Sequence, residues 1–291
     1  MVHEEYVERL VNLLDADANL IFNMTYEEAT ELVGSGSAEQ VRQIDRQFAL
    51  VHKNGTCVRM ARSIGRPMRF FLAKRAEGPC LIIAERIDEI YEFLKSEGLD
   101  DQFHPSYTRM VPAHYVLELQ LIGCPDPNPK TTRFFTPARN RLPNQLNEIG
   151  KQYISAVSRE IHKWLDTIPP QQPIGVLFSG GVDSGAIFLL VYHALLMRKE
   201  SPSRLKAFSL SIDGEGSDCR QARQFLEQMN LSLFLEEIDV PQESLDCQET
   251  IRIVEDYKQL DVQAATMTYA LCKKIRELYP RWKYLIDGDG G

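Results

Sequence analysis

Apolar residues change rhythm near residue 140. Before it, short runs rich in β-formers predominate. Residues 48–52 and 57–62 flank Asn54-Gly55, a pair that supplies the positive φ angles of a tight turn, and predict a hairpin. Further strands are predicted at 68–73, 80–84 and 114–121, and helices at 4–14, at 26–32 behind a Thr25 cap, and at 87–94. Together they predict a small α+β domain with a mostly antiparallel sheet over residues 1–140.

The segments Cys124-Pro-Asp-Pro-Asn-Pro and Thr136-Pro-Ala-Arg-Asn-Arg-Leu-Pro143 read as loop and linker. After them the pattern alternates. Ile154, Val157, Ile161, Leu165 and Ile168 fall at helical spacing. The run 174–178 suits a strand buried on both faces. Helices at 183–199, 217–229, 248–256 and 261–278 then alternate with strands at 205–212, 233–238 and 283–286. Such alternation predicts an α/β fold over residues 141–291, a parallel sheet covered on both sides. Ligands of such sheets bind beyond the carboxyl ends of the strands.

Composition narrows the classes. With 291 residues, a second core is expected. A net charge of −8 disfavours nucleic acid and anionic membrane as partners, since both need a basic face. No apolar run reaches the roughly 20 residues of a membrane-spanning helix, and Met1-Val2-His3-Glu4-Glu5 lacks the basic start of a secretory signal. The six cysteines form no C-x-x-C pair, so reduced thiols in a cytoplasm are expected, with neither disulfides nor zinc.

Candidate chemistry concentrates in Ser179-Gly180-Gly181-Val182-Asp183-Ser184, between a predicted strand and helix. Gly180 and Gly181 permit a tight turn that leaves N–H groups open to a ligand. The following helix aims its N-terminal dipole at the same anion, and Ser179 and Ser184 add hydroxyl donors. Asp183 would repel phosphate by itself, and makes sense as a Mg²⁺ ligand. A Gly-Gly turn capped by Asp and Ser needs no ligand to open a helix. The full string, in this setting, favours a nucleotide.

The string resembles the PP-loop of ATP-pyrophosphatases, and lacks the Gly-Lys-Ser/Thr of a Walker loop. Among PP-loop families, further stretches resemble asparagine synthetases. Phe208-Ser-Leu210-Ser-Ile212 falls where that family has the strand whose end contacts adenine, and Asp287-Gly288-Asp289-Gly290-Gly291 resembles its Ser-Gly-Glu-Gly segment. Upstream, Gln47-Phe48-Ala49-Leu50-Val51, Arg62 to Phe71 and Val111-Pro112-Ala-His114-Tyr115 resemble family phrases in the same order, followed by Arg133-Phe134-Phe135. The resemblance implies ATP and Mg²⁺, with Leu177, Leu210 and Gly288 at the adenine, residues Ser179, Gly180, Gly181, Asp183, Ser184 and Asp287 at the nucleotide, and Asp183 on the metal. It implies an ATP-dependent amide-forming synthetase that adenylates a small-molecule carboxylate and releases AMP and pyrophosphate, with Asp289 in the catalytic position.

Departures from the family modify this. The family's glutaminase half begins with a nucleophilic Cys, whereas removal of Met1 would expose Val2. The 45 or so residues before Phe48 read as too few and too helical for that half's first strands, so the first domain is expected to be a degenerate glutaminase-like one. Ammonia, an amine, or ammonia from a separate glutaminase would then supply nitrogen. Asp289 stands where the family has Glu and where its β-lactam-forming cyclases have Tyr. A second metal Asp and a pyrophosphate-binding lysine fall beyond Gly291, so the chain reads as part of a longer one. The alternatives are an intramolecular amide-forming (β-lactam synthetase-like) enzyme, a thiolating enzyme, and a non-catalytic ATP-binding regulator. A homodimer remains open.

Elsewhere, His114 reads as structural, Arg62 as an interdomain bridge or a solvated hairpin residue, and Met267, Ala270 and Leu271 as core. Asp213-Gly-Glu-Gly216 reads as a loop leading into a helix, and Glu236-Glu237 as a strand end.

Overall fold

The structure is a computed structural model that describes residues 9–75, 78–121 and 128–289. Residues 4–8 of the first predicted helix, 124–127 of the proline-rich stretch, and Gly290 and Gly291 lie outside the described residues. The chain divides into two compact units, Met1–Arg139 and Asn140–Gly291.

The first unit runs β1 (Arg9–Asn12), β2 (Leu20–Ile21), α1 (Tyr26–Gly34), α2 (Ala38–Val41), β3 (Arg46–Gln47), β4 (Ala49–Asn54), β5 (Cys57–Arg62), β6 (Arg69–Ala73), β7 (Cys80–Ala84), α3 (Ile87–Ser96), β8 (Arg109–Met110), β9 (Tyr115–Gln120) and β10 (Lys130–Arg133). Two four-stranded sheets, ordered β1-β7-β6-β8 and β10-β9-β5-β4, pack face to face. Their shared core holds Val58, Met60, Leu117 and Leu119 from one sheet and Phe70, Leu81 and Ile83 from the other. Strand alternation sends the remaining side chains outward. Leu50, Ala61 and Val116 meet α1 and α2, while Phe71, Ile82 and Ala84 meet α3. The result is four layers: helices, sheet, sheet, helix.

Two local expectations are corrected. Residues Arg9–Asn12 are a strand and not part of a helix, because β1 pairs in parallel with the fully buried β7. Leu10 then faces the inter-sheet core and Val11 the α3 side, a period-2 use of residues whose sequence also fits a helix. With β2 and β3, strands therefore occupy part of the stretch read as too helical for them. The hairpin turn is Gly55-Thr56 rather than Asn54-Gly55. Asn54 pairs with Cys57, and only Gly55 carries the positive φ, of 58°.

The second unit runs α4 (Leu146–Asp166), β11 (Ile174–Leu177), α5 (Val182–Met197), β12 (Leu205–Ile212), α6 (Ser217–Gln228), β13 (Leu235–Val240), α7 (Cys247–Val254), α8 (Gln259–Leu278) and β14 (Tyr284–Ile286). The sheet is wholly parallel, ordered β13-β12-β11-β14. On one face Ile161 and Leu165 of α4, Phe188 and Val191 of α5 and Leu226 of α6 cover Ile174, Val176 and Ala207. On the other, Ala270, Leu271 and Ile275 of α8 cover Phe208 and Ile238. Both faces of the sheet are thus buried, which is why β11 and β12 are nearly all apolar.

The strand order fixes where a ligand can enter. From β11 the chain steps to β12 and then β13, and it returns to the opposite side of β11 only with β14. Loops leaving β11 and β14 therefore diverge, and a crevice opens between them at the carboxyl edge.

Candidate functional site

Buried aromatic packing sets the end of β11. Phe178 lies 5.6 Å, centroid to centroid, from both Phe188 of α5 and Phe225 of α6, and its N–H donates to the Phe208 carbonyl at 2.8 Å. The chain then turns through loop 179–181 into α5. Gly180 has φ of 77°, and a Cβ there would lie 2.4 Å from the Ala222 nitrogen. Its carbonyl accepts from Gln221 Nε2 at 3.1 Å. Only glycine fits this position, and α6 is the surface that shapes the turn. Gly181 follows with an unstrained φ of −72° as the residue that caps α5.

The serines brace the loop. Ser179 Oγ and Ser184 Oγ lie 3.2 Å apart, Gly181 N–H donates to Ser179 Oγ at 3.4 Å, and Ser184 Oγ donates to the Gly181 carbonyl at 3.4 Å. Gly185 N–H makes its intrahelical bond to the Gly181 carbonyl at 2.9 Å, so α5 closes its ladder at once. The N–H groups ahead of it are the unpaired donors of a helix start.

From the other side comes the loop after β14. A Cβ on Gly288 would lie 2.6 Å from the Ser184 nitrogen, so this backbone seats directly on the first turn of α5. That contact brings Asp287 and Asp289 beside Asp183. Among the described residues no cation pairs with any of the three. Partial burial, and next the Asp289 charge, pushes the Asp287 carboxyl above its ordinary range.

The crevice is a cavity of about 250 Å³ whose lining includes Leu177, Ser179, Gly181, Asp183, Ser184, Leu210, Asp287, Gly288 and Asp289. Gly180 is the one site candidate it leaves out, because that residue is buried against α6. Asp218, Met267, Thr268 and Leu271 also line it. Met267 and Leu271 thus serve the crevice as well as the core, which helical spacing on α8 could not reveal. A second cavity, of about 210 Å³, shares Asp183, Asp287, Gly288 and Asp289 as its wall and continues between α4 and α5 over Tyr153, Ile154, Val157, Ala186, Ile187 and Leu190. No sequence signal marked it.

Residues 170–291 match the family model of asparagine synthase. The second unit carries an asparagine synthase-family domain. The glutamine-hydrolysing asparagine synthetase 1 of Lotus japonicus is 28% identical over 122 residues of this domain, 40% of this chain and 20% of the relative. The chain therefore spans about a fifth of that protein's length. Among solved structures, the NH3-dependent NAD synthetase of Campylobacter jejuni subsp. jejuni NCTC 11168, in complex with the nitrate ion, is similar at 13% identity and a TM-score of 0.32, over 48% of this chain and 56% of that one. Within the asparagine synthase-family domain, every resemblance-based candidate except Gly180 lines the one crevice.

Other residues resolve as structural. His114, at φ 66°, packs against Phe134 and Phe135, and burial, with Arg133 and Arg62 nearby, lowers its pKa. Arg62 is buried and not solvated, with Nε donating to the Val111 carbonyl. Glu237 pairs with Arg223, and Glu236 with Lys206 and Tyr279. Residues 213–216 form a tight turn closed by Ile212 and Glu215. The described cysteines, Cys57, Cys80, Cys219, Cys247 and Cys272, are unpaired, and no described helix is long and apolar enough to cross a membrane.

Proposed function

We propose that the second unit binds ATP with Mg²⁺ and activates a small-molecule carboxylate as its adenylate, for capture by ammonia or an amine. The observation that carries this reading is the convergence of loop 179–184 and loop 287–289 on one crevice at the strand-order reversal, with three uncompensated carboxylates between them. The family match and the Lotus japonicus relative support the same chemistry.

The donor set suits a hard divalent cation: Asp183, Asp287 and Asp289 offer carboxylate oxygens, and no guanidinium or ammonium competes for them. Asp183 holds the ion, with Asp287 as the nearest second carboxylate in sequence to the family segment. When bound, Mg²⁺ would neutralise phosphate charge as pyrophosphate departs. The backbone N–H groups at the start of α5, with Ser179 and Ser184, hold the phosphate oxygens. Leu177, Leu210 and Gly288 flank the adenine. A carboxylate oxygen of the substrate attacks the α-phosphorus and the bond to pyrophosphate breaks. The amine then attacks the acyl carbon, and AMP leaves with the electron pair. Asp289, in the wall common to both cavities, orients the acyl group, and the apolar groove between α4 and α5 lies on that acyl side.

In the first unit we read a degenerate glutaminase-like domain. Val2 offers no nucleophile in place of the family's Cys, so nitrogen comes from free ammonia, from a separate glutaminase, or from an amine of the substrate.

The test is ATP–pyrophosphate exchange by the full chain with Mg²⁺, offered aspartate and then a panel of other carboxylic acids, with Asp183→Ala as control. Exchange that depends on one acid and vanishes in the control supports adenylation and identifies the substrate class. ATP binding without exchange for any acid would favour a nucleotide-binding regulator. Absence of ATP binding would refute the assignment of loop 179–184.

A further inference from the structure

The first unit buries more positive charge than it compensates. Arg62, Arg66 and Arg69 are 8%, 5% and 9% exposed. They lie together where β5 ends, β6 begins and β7 ends. Arg62 Nη1 donates to the Arg66 carbonyl at 3.0 Å, Arg66 pairs with Glu85, and Arg69 Nη1 donates to the Glu85 carbonyl at 2.7 Å. Arg62 spends Nε on the Val111 carbonyl, and Arg66 Nη2 also donates to the Asp15 carbonyl at 3.1 Å. Against these guanidiniums stands the Glu85 carboxylate, itself 26% exposed. Two nitrogens of Arg66, Nε and Nη1, are buried with no hydrogen-bond partner among the described residues.

Guanidinium does not deprotonate in a protein, so the cluster cannot relieve its charge by titration. Buried charges are paired, because desolvation of an unpaired ion costs several kcal/mol. A buried water could satisfy the two free donors of Arg66 but would leave the charge in place. An anion satisfies both. We propose that the first unit holds a small oxyanion, inorganic or the carboxylate of a small molecule, against Arg66 between Arg62 and Arg69.

The experiment follows thermal unfolding of the full chain at constant ionic strength, titrating phosphate, acetate and chloride separately, in the parent and in Arg66→Met and Arg66→Lys. The expected result is a saturable rise in Tm with phosphate or acetate in the parent, absent in Arg66→Met and needing about tenfold more anion in Arg66→Lys. Saturation by phosphate alone assigns an inorganic anion, and saturation by acetate assigns a carboxylate. In anion-free buffer Arg66→Met is expected to melt at or above the parent, since it removes an uncompensated charge. Should Arg66→Met not fold, the parent and Arg66→Lys titrations decide. No rise with any anion, or a non-saturating rise equal in parent and Arg66→Lys, is ordinary salt exclusion and overturns the proposal.

Discussion

The two ends of the parallel sheet are built from the same strands and treat charge oppositely. At the amino end, the buried Arg204 donates to the carbonyls of Gln172 and Pro169, at 2.7 and 3.1 Å, and pairs with Glu200, which also binds Arg198. At the carboxyl end, Asp183, Asp287 and Asp289 face a crevice with no cation beside them. The amino end has the larger hollow, about 810 Å³ lined partly by Arg204, Arg281 and Lys283, yet neither a helix start nor a glycine turn opens into it. Volume alone does not choose the site. Donors and charges left without internal partners do, and these gather where the strand order reverses.

The sharpest way to break this contrast is at the loop itself. Gly180→Ala places a Cβ against the α6 backbone at a positive φ, and is expected to cost at least about 2 kcal/mol in urea unfolding and to abolish nucleotide binding. Next, Arg204→Met removes the amino-end pairing and should cost about 2 kcal/mol while leaving ATP affinity unchanged, as read by calorimetry. Its neighbour in the loop gives the opposite pattern. At Gly181 a Cβ would meet only Ser179 Oγ, at 3.4 Å, so Gly181→Ala should leave stability within about 0.5 kcal/mol. Yet it should weaken ATP binding about tenfold, because the added methyl faces the phosphates. If both properties stay unchanged, phosphate does not lie there.

The smallest effect is a pH dependence. Asp287 has its pKa raised by burial and by Asp289, so the folded chain holds this proton to a higher pH than the unfolded chain does. Its contribution to stability is present in acid and is lost as pH rises from the ordinary carboxylate range through the raised value. Asp287→Asn should therefore raise Tm slightly at neutral pH, within about 0.5 kcal/mol, with the gain fading in acid. A gain that grows in acid would show the opposite shift.

Much of the second unit is legible in the sequence, because strands buried on both faces announce themselves as short apolar runs and helices by their spacing. The strand at Leu205–Ile212 has the bounds its residues predict. In the first unit the signal weakens where pairing overrides local pattern. Arg9–Asn12 becomes a strand through β7, a partner some seventy positions away in the chain. Lys130–Arg133, exposed throughout, carries no apolar alternation at all. In the crevice, the glycines and acids of loops 179–184 and 287–289 are readable as motifs. Asp218 and Met267 are not, since only the docking of α6 and α8 brings them to it.

The dependence of Gly180 on α6, and of Ser184 on Gly288, also orders events as the chain is made. Loop 179–181 and α5 leave the ribosome early in the domain, yet the turn has no surface to be moulded on until Gln221 and Ala222 arrive, and the first turn of α5 lacks its lid until β14 has joined the sheet. A nascent chain halted anywhere between them would hold the whole six-residue motif and still be unable to grip a nucleotide. Acquisition of ATP binding during synthesis would thus time the closure of the sheet.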